Sequence, residues 1–267
     1  MRLVITRKGV GNWAAQYVKQ QILHAAPTKA RPFVLGLPTG GTPLEMYQHL
    51  VTMHTRGELS FAHVTTYNMD EYIGLPEGHK ESYRTYMFEN LFNHIDIDPA
   101  QVHIPNGNAP DLAKECEQYT TSIAANGGVD LFLGGVGENG HIAFNEPYSS
   151  PAASTRIVHL DMSTRIANSR FFNNDISQVP DKALTVGIQQ LMDARQVLIL
   201  VSGHKKALAL RECVEGAISH AWPITALQMH PNVLVVADKD ACSELRLKTY
   251  SYFKELQDQY SHIEALA

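Results

Sequence analysis

One glycine-rich segment, residues 134–147, contains a histidine and several polar side chains that could carry acid–base chemistry. His141 lies between Asn139 and Glu146 in this segment. An imidazole that is oriented by a neighbouring polar group is suited to act as a general base near neutral pH. Because a lone histidine in a glycine loop more often makes a local hydrogen bond, this role needs support from elsewhere in the chain.

Two adjacent carboxylates, Asp70 and Glu71, follow a short segment that reads as a buried strand ending at residue 67. The ligand clefts of parallel sheets lie at the carboxyl ends of the strands. A carboxylate in that position could remove a proton from a carbon next to a carbonyl or an imine. We expect one or both acids to face the site, with a solvated pair as the alternative.

The turn at residues 38–43 is a candidate anion site. Its glycines let the backbone approach a ligand, and the helix expected after it, with Thr42 as N-cap and Pro43 as first residue, offers unpaired N–H groups. The Gly-Lys-Ser/Thr of a P-loop is missing, so a purely structural turn stays an alternative. The expected phosphate-binding residues are four from this turn and two cations from later segments: Thr39, Gly40, Gly41, Thr42, Arg170 and Lys206.

The glycines of the histidine segment also have the G-x-G-x-x-G spacing of a dinucleotide site. That site requires a helix directly after the glycines, but Pro147 and Pro151 follow before a helix of useful length could form. Metal binding needs further ligands at a typical spacing, and none is evident around His141. We therefore expect neither a cofactor nor a metal.

Composition limits the possible partners and the cellular location. The 267 residues have a formal net charge of −5 and no basic run, which argues against nucleic acid and anionic membranes. The three cysteines are far apart, as is typical of reduced core thiols. The chain shows no signal-peptide pattern or long apolar run, so we expect a cytoplasmic protein.

Short apolar segments alternate with segments of helical periodicity along the whole chain. This order predicts an α/β fold with one Rossmann-like domain over residues 1–267, in which a doubly wound, mainly parallel sheet has helices on both faces. The predicted strands are 3–6, 33–37, 64–67, 102–104, 129–133, 155–160, 196–201 and 233–237. The predicted helices are 10–26, 42–55, one beginning near 82, 110–126, 205–216 and 241–259, and residues 183–191 are expected to pass from strand to helix.

Four segments taken together, residues 35–43, 68–72, 134–147 and 167–172, resemble the glucosamine-6-phosphate deaminase family, and the resemblance runs essentially from end to end. It implies conversion of D-glucosamine 6-phosphate and water to D-fructose 6-phosphate and ammonia. This is an aldose–ketose isomerisation coupled to deamination, in amino-sugar catabolism, without a cofactor. The substrate would be a small phosphosugar.

The resemblance also implies a role for each candidate residue. His141 is similar to the base that opens the pyranose ring, and Glu146 to its orienting partner. Asp70 is similar to the base that moves the C2 proton towards C1. The residues of the 38–43 turn, with Arg170 and Lys206, resemble the phosphate site.

One position in the catalytic segment departs from many family members, which have aspartate where this chain has Asn139. An asparagine still accepts a hydrogen bond from the imidazole, but it cannot stabilise an imidazolium by charge. We therefore expect a less basic His141 and a shifted pH optimum for ring opening.

Allosteric members of the family are hexamers activated by N-acetylglucosamine 6-phosphate. Four residues match their effector site: Ser149, Ser150, Arg156 and Tyr252. Val158 stands where those members have a lysine, which removes a phosphate partner worth about 1.5–3 kcal/mol. The resemblance thus implies a homo-oligomer with weak or absent activation.

Three other functions remain open from the sequence. A deaminase for the galactosamine 6-phosphate epimer and a phosphosugar lactonase are the nearest alternative enzymes. A sugar-phosphate sensor is the non-enzymatic alternative, but the effector modules of transcription regulators come with a helix-turn-helix segment and a basic face. The sequence has neither feature, which favours an enzyme.

Overall fold

The computed structural model describes residues 1–7 and 9–259. Its strands are β1 (Arg2–Ile5), β2 (Phe33–Leu37), β3 (Val64–Asn68), β4 (Asp70–Tyr72), β5 (Val102–His103), β6 (Leu131–Gly135), β7 (Arg156–His159), β8 (Lys182–Thr185), β9 (Val197–Val201) and β10 (Val233–Ala237). Its helices are α1 (Val10–Ala25), α2 (Gly41–Thr55), α3 (Tyr83–Asn90), α4 (Leu112–Ala125), α5 (Met162–Asn168), α6 (Ile188–Met192), α7 (Ala207–Glu215) and α8 (Leu247–Gln259).

A seven-stranded parallel sheet forms the centre of the fold, with strand order β1-β10-β9-β6-β2-β3-β5. The order along the sheet reverses between β6 and β2, which is the switch point where doubly wound sheets bind ligands. Strands β9, β6, β2 and β3 are neighbours, so the loops after them share one edge. The predicted α/β class and mainly parallel sheet are confirmed.

Alternate residues of the central strands enter two apolar cores on opposite faces of the sheet. Val34 of β2 and Ile199 of β9 belong to the core that also contains residues of α4, α6 and α7. Leu35 and Leu200, one position further along, belong to the core that contains residues of α1, α2 and α3. Burial on both faces explains why these strands are continuously apolar in the sequence.

A second, antiparallel sheet with order β4-β8-β7 was not predicted. Its first strand begins at Asp70, directly after β3, where the sequence suggested an acidic turn. Met69 makes the transition, because its N–H donates to Leu37 O and its carbonyl accepts from Val186 N. Asp70 therefore lies in a paired strand opposite Thr185, and its backbone is held more firmly than a turn would hold it.

Several element boundaries differ from the sequence prediction by one or more residues, and three of the differences have a local structural cause. Helix α2 begins at Gly41 with Gly40 as N-cap, so Thr42 is not the cap and Pro43 is the third helical residue. Strand β6 begins two residues later than expected and includes Gly134 and Gly135, because both glycines pair with β9. Helix α8 begins at Leu247 instead of residue 241.

The residues before α8 form turns because side-chain acceptors bind their amides: Ala241 N donates to Asp238 Oδ1 and Arg246 N to Glu215 Oε1. In residues 1–7 and 9–259, none of the helices combines the length and apolar character that a membrane crossing requires.

Candidate active site

A cleft of about 900 Å³ opens at the carboxyl ends of β2, β3, β6 and β9. The structure places nearly all the predicted catalytic and phosphate-binding residues in its lining: Thr39, Gly40, Gly41, Thr42, Asp70, Asn139, His141, Arg170 and Lys206. Glu146 lies directly behind His141. Residues far apart in the sequence meet here because the four strands that precede them are neighbours.

His141 is held by a short chain of polar contacts. Its Nδ1 lies 2.7 Å from Asn139 Oδ1, and Asn139 Nδ2 donates to Glu146 Oε2 at 3.1 Å. The carboxylate can only accept, so it fixes which end of the Asn139 amide faces the imidazole. Nδ1 therefore carries the ring hydrogen, and Nε2 is left as the basic nitrogen of the neutral ring.

Glu146 supplies the negative charge beside the imidazole, with Oε2 at 3.4 Å from His141 Nδ1. Burial alone would raise the pKa of Glu146. The hydrogen bond and charge of His141, with a further contribution from Asn139, outweigh burial and lower this pKa. Glu146 is thus ionised at neutral pH and presents a negative charge to the imidazole.

The His141 ring packs on bare backbone at Gly137. A Cβ added at Gly137 would lie 2.2 Å from the ring atoms of His141. The backbone joins the same two residues, since Gly137 N donates to His141 O at 2.8 Å. Gly137 is therefore required for the position of the imidazole.

Asp70 is 7% exposed and lines the cleft. Burial, and secondly the charge of Glu71, raise the pKa of Asp70 from 3.8 to about 8. A carboxyl that ionises near neutral pH is suited to act as a general base and then return the proton. Glu71 does not line the cleft, since adjacent residues of a strand point to opposite faces.

The turn at residues 38–43, the candidate phosphate turn, places the start of α2 at the cleft. Gly40 adopts φ 109°, a conformation that favours glycine, and no side chain caps the helix. Gly40 O accepts from Tyr86 Oη at 2.7 Å, which fixes the turn from the side of α3. The first amides of α2 remain available for an anion.

Two cations, Arg170 and Lys206, also line the cleft. Lys206 ends a 3-10 turn, His204–Lys206, that leads into α7. Burial and the nearby Arg170 and Lys205 lower the pKa of Lys206, while the carboxylate of Glu138 partly opposes this effect. Two cations kept close together without full neutralisation favour the binding of an anion.

Sequence reasoning missed three tyrosines of the cleft, Tyr72, Tyr83 and Tyr86. The rings of Tyr72 and Tyr83 pack together with centroids 4.9 Å apart, and Asn168 Nδ2 donates to Tyr72 Oη at 2.9 Å. The only available signal was their position: Tyr72 follows the two acids, and Tyr83 and Tyr86 have the i, i+3 spacing of one helix face.

The predicted effector residues lie outside the cleft lining. Arg156 donates to Ser149 Oγ at 3.1 Å and to Asn145 Oδ1 at 2.8 Å. Burial lowers the pKa of this guanidinium. Tyr252 is an exposed residue of α8.

The glycine pattern of the histidine segment lacks the helix of a dinucleotide site, because the next element after β6 is β7 and the next helix is α5. Within the described part of the chain, no group of three or more His, Cys, Asp or Glu side chains is arranged to hold a metal ion.

Residues 6–236 match the profile of the family described as glucosamine-6-phosphate isomerases/6-phosphogluconolactonase. Glucosamine-6-phosphate deaminase of Porphyromonas gingivalis is 56% identical over 259 residues, covering 96% of this chain and 98% of that protein. The enzyme of the same name from Serratia proteamaculans is 56% identical over 248 residues, covering 93% of each chain.

Two solved structures have the same fold. A monomeric glucosamine-6-phosphate deaminase superposes with a TM-score of 0.87 at 41% identity, covering 91% of this chain and all of that one. The 6-phosphogluconolactonase of Thermotoga maritima superposes with a TM-score of 0.73 at 18% identity, covering 89% of this chain and 99% of that one. At that identity, the second likeness concerns the fold alone.

Proposed function

The chain belongs to the glucosamine-6-phosphate isomerase/6-phosphogluconolactonase family, and we propose that its cleft deaminates D-glucosamine 6-phosphate to D-fructose 6-phosphate and ammonia. The observation that carries this proposal is the meeting, in one cleft, of a buried carboxyl, a histidine and a phosphate turn. The reaction needs a base for ring opening, a base at C2 and an anchor for the phosphate.

His141 is the ring-opening base. With Nδ1 hydrogen-bonded to Asn139, Nε2 accepts a proton from the C1 hydroxyl of the pyranose. Glu146 stabilises the imidazolium that forms, because its carboxylate lies 3.4 Å from Nδ1. The proton then returns to the ring oxygen, which leaves the open-chain aldehyde in the cleft.

Asp70 transfers the C2 proton. Its carboxylate removes the proton from C2 while the C1 aldehyde oxygen takes up a proton from solvent, which gives a C1–C2 enolamine. The proton held by Asp70 is then delivered to C1, which gives the imine at C2, and water hydrolyses this imine to D-fructose 6-phosphate and ammonia. A pKa of about 8 suits a group that must both accept and release a proton near neutral pH. Its backbone is held in β4, so the carboxyl has a fixed place beside the cleft.

The substrate phosphate binds between the start of α2 and the two cations, Arg170 and Lys206. The turn residues Thr39, Gly40, Gly41 and Thr42 supply backbone and hydroxyl donors. In this proposal the phosphate binds at the turn and the two cations, and the sugar carbons C1 and C2 lie near His141 and Asp70, which line the same cleft.

Ammonia release from glucosamine 6-phosphate, compared with its galacto epimer, tests the substrate. We expect release from the gluco epimer, with a loss of about 10²–10⁴-fold in Asp70→Asn. The exposed Asp193→Asn is the matched control and should leave the rate unchanged. Faster release from the galacto epimer would reassign the substrate.

A phosphosugar lactonase is the second candidate, favoured by the family description and by the shared fold. Lactone hydrolysis needs no base at C2. Asp70→Asn should therefore retain hydrolysis of 6-phosphogluconolactone if the chain is a lactonase. A wild-type protein that hydrolyses the lactone and releases no ammonia would overturn the deaminase proposal.

The assembly and the cellular location of the protein are further parts of the proposal. We expect residues 1–267 to form one domain of a cytoplasmic homo-oligomer, hexameric by family resemblance. The structural neighbour at 41% identity is described as monomeric. Sedimentation velocity distinguishes the two states, and a monomer would refute the oligomer.

A further inference from the structure

Glu71 is a buried acid directly beside Asp70 that faces away from the cleft. Both residues belong to β4, so their side chains point to opposite faces of the strand. Glu71 is 6% exposed and pairs in register with Leu184, while Asp70 pairs with Thr185. A buried acid in this position needs partners to remain charged.

The carboxylate of Glu71 accepts four hydrogen bonds, most of them from the first turn of α3. Oε1 accepts from Tyr72 N at 2.8 Å and from Tyr83 N at 2.9 Å. Oε2 accepts from Arg84 N at 2.9 Å and from Ser82 Oγ at 3.2 Å. Unpaired amides at a helix N-terminus favour an anion, so they stabilise the ionised form of Glu71.

Helix α3 also contacts the phosphate turn, residues 38–43. Tyr86 Oη donates to Gly40 O at 2.7 Å, and Tyr83 lines the cleft together with Thr39. The ring of Tyr83 also stacks on Phe144, with centroids 6.0 Å apart. Glu71 thus connects β4, which carries the C2 base, to the helix that holds the turn.

Four tyrosines surround Asp70, and none of them carries a charge near neutral pH. Tyr47 of α2, Tyr72 of β4, Tyr83 of α3 and Tyr119 of α4 all have pKa values raised by burial, so they are neutral near pH 7. From β8, the partner of Asp70 in register is Thr185, which does not titrate.

Glu71 is the charged member of this set of described groups. Burial raises the pKa of Glu71, and its four hydrogen-bond donors oppose this effect. The charge of Glu71 in turn raises the pKa of Asp70, so Glu71 acts on Asp70 as a negative charge. The guanidinium of Arg84 lies over the Phe88 ring, 5.0 Å from the centroid, and is no partner of the carboxylate. Arg170 and Lys206 of the cleft belong to the phosphate site.

We propose that Glu71 is a positioning residue of the reaction, which ties the start of α3 to β4 and acts on Asp70 through its buried negative charge. The inference rests on the proposed deaminase function. It predicts two separate effects, one on substrate binding through α3 and the phosphate turn, and one on the pH dependence of proton transfer through Asp70.

Glu71→Gln tests both effects, with kcat and KM for glucosamine 6-phosphate measured from pH 5 to pH 9. Removal of the charge makes Asp70 ionise at lower pH, so the acidic limb of kcat/KM should move down by about one pH unit. The glutamine amide has one acceptor oxygen in place of two, so it can accept only some of the four hydrogen bonds that Glu71 accepts. The start of α3 is then held less firmly, so KM should rise severalfold.

Two controls separate charge from structure. Glu77→Gln makes the same change at an exposed position of the following loop and should leave both KM and the acidic limb unchanged. Ser82→Ala removes one donor and keeps the charge of Glu71, so it should raise KM and leave the acidic limb in place.

The outcomes distinguish this inference from the proposed function. A wild-type protein that releases no ammonia refutes the deaminase proposal itself. An active wild type whose acidic limb coincides with that of Glu71→Gln overturns the inference. If Glu71→Gln does not fold, Ser82→Ala and Glu71→Asp take its place, and an unchanged KM in both overturns it.

Discussion

Nδ1 of His141 lies 2.7 Å from Oδ1 of Asn139, so an amide and not a carboxylate makes the hydrogen-bonded contact with this imidazole nitrogen. The same amide donates to Glu146 Oε2. The expected hydrogen bond between residues 139 and 141 is therefore present. The negative charge is that of the Glu146 carboxylate, whose Oε2 lies 3.4 Å from Nδ1. An amide orients the ring, but it stabilises the imidazolium less than aspartate would.

Asn139→Asp should move the acidic limb of kcat/KM to higher pH. The new carboxylate favours protonated His141, so the neutral base appears only at higher pH. The pH profile of the ring-opening step measures this shift, with the exposed Asn93→Asp as control. Coincident acidic limbs in wild type and Asn139→Asp would refute the expectation.

Gly137→Ala should reduce activity strongly while the protein remains folded. The added methyl group would overlap the His141 ring, which can move aside towards the cleft at little cost to the core. We expect a loss of about tenfold or more in kcat, in line with a displaced general base.

Gly135→Ala is the matched control for this change, because the nearest atom to its added Cβ is 3.9 Å away. Equal activity of the two alanine variants, at equal melting temperature, would show that the contact between Gly137 and His141 has no effect on catalysis.

Asp70→Asn should stabilise the protein at alkaline pH. The folded-state pKa of Asp70, about 8, lies above its ordinary value of 3.8. Its contribution to stability is fully present below pH 4 and is lost as the pH rises to about 8, because a buried carboxylate is then formed. The melting temperature of Asp70→Asn relative to wild type should therefore rise between pH 5 and pH 9. A constant difference would contradict the raised pKa.

Val158→Lys should strengthen the response to N-acetylglucosamine 6-phosphate. Arg156 and Val158 alternate on one face of β7, opposite Thr185 and Ala183. A lysine there restores a charge-assisted partner, and we expect effector binding to tighten about tenfold or more. Rates at fixed substrate, with increasing effector, measure it.

Ile157→Lys is the control, because Ile157 is 41% exposed and lies on the other face of the strand. A wild-type rate curve that is sigmoidal and becomes hyperbolic with micromolar effector would refute the prediction of weak activation.

The sequence by itself determined the class of the fold, and it predicted where the candidate catalytic groups lie along the chain. Apolar strands separated by helical segments led to a parallel sheet, and residues such as Thr39 and His141 lie in the segments that follow predicted strands. Local pattern is sufficient for such conclusions, since burial on both faces makes a strand continuously apolar.

Only the tertiary structure decided which strand ends are neighbours and which acid faces the cleft. The order of β9, β6, β2 and β3 depends on pairings between residues far apart in the chain. Asp70 and Glu71 are adjacent acids in the sequence, but the second sheet turns one to the cleft and the other to the start of α3. Their different roles follow from long-range pairing and burial, which no local pattern encodes.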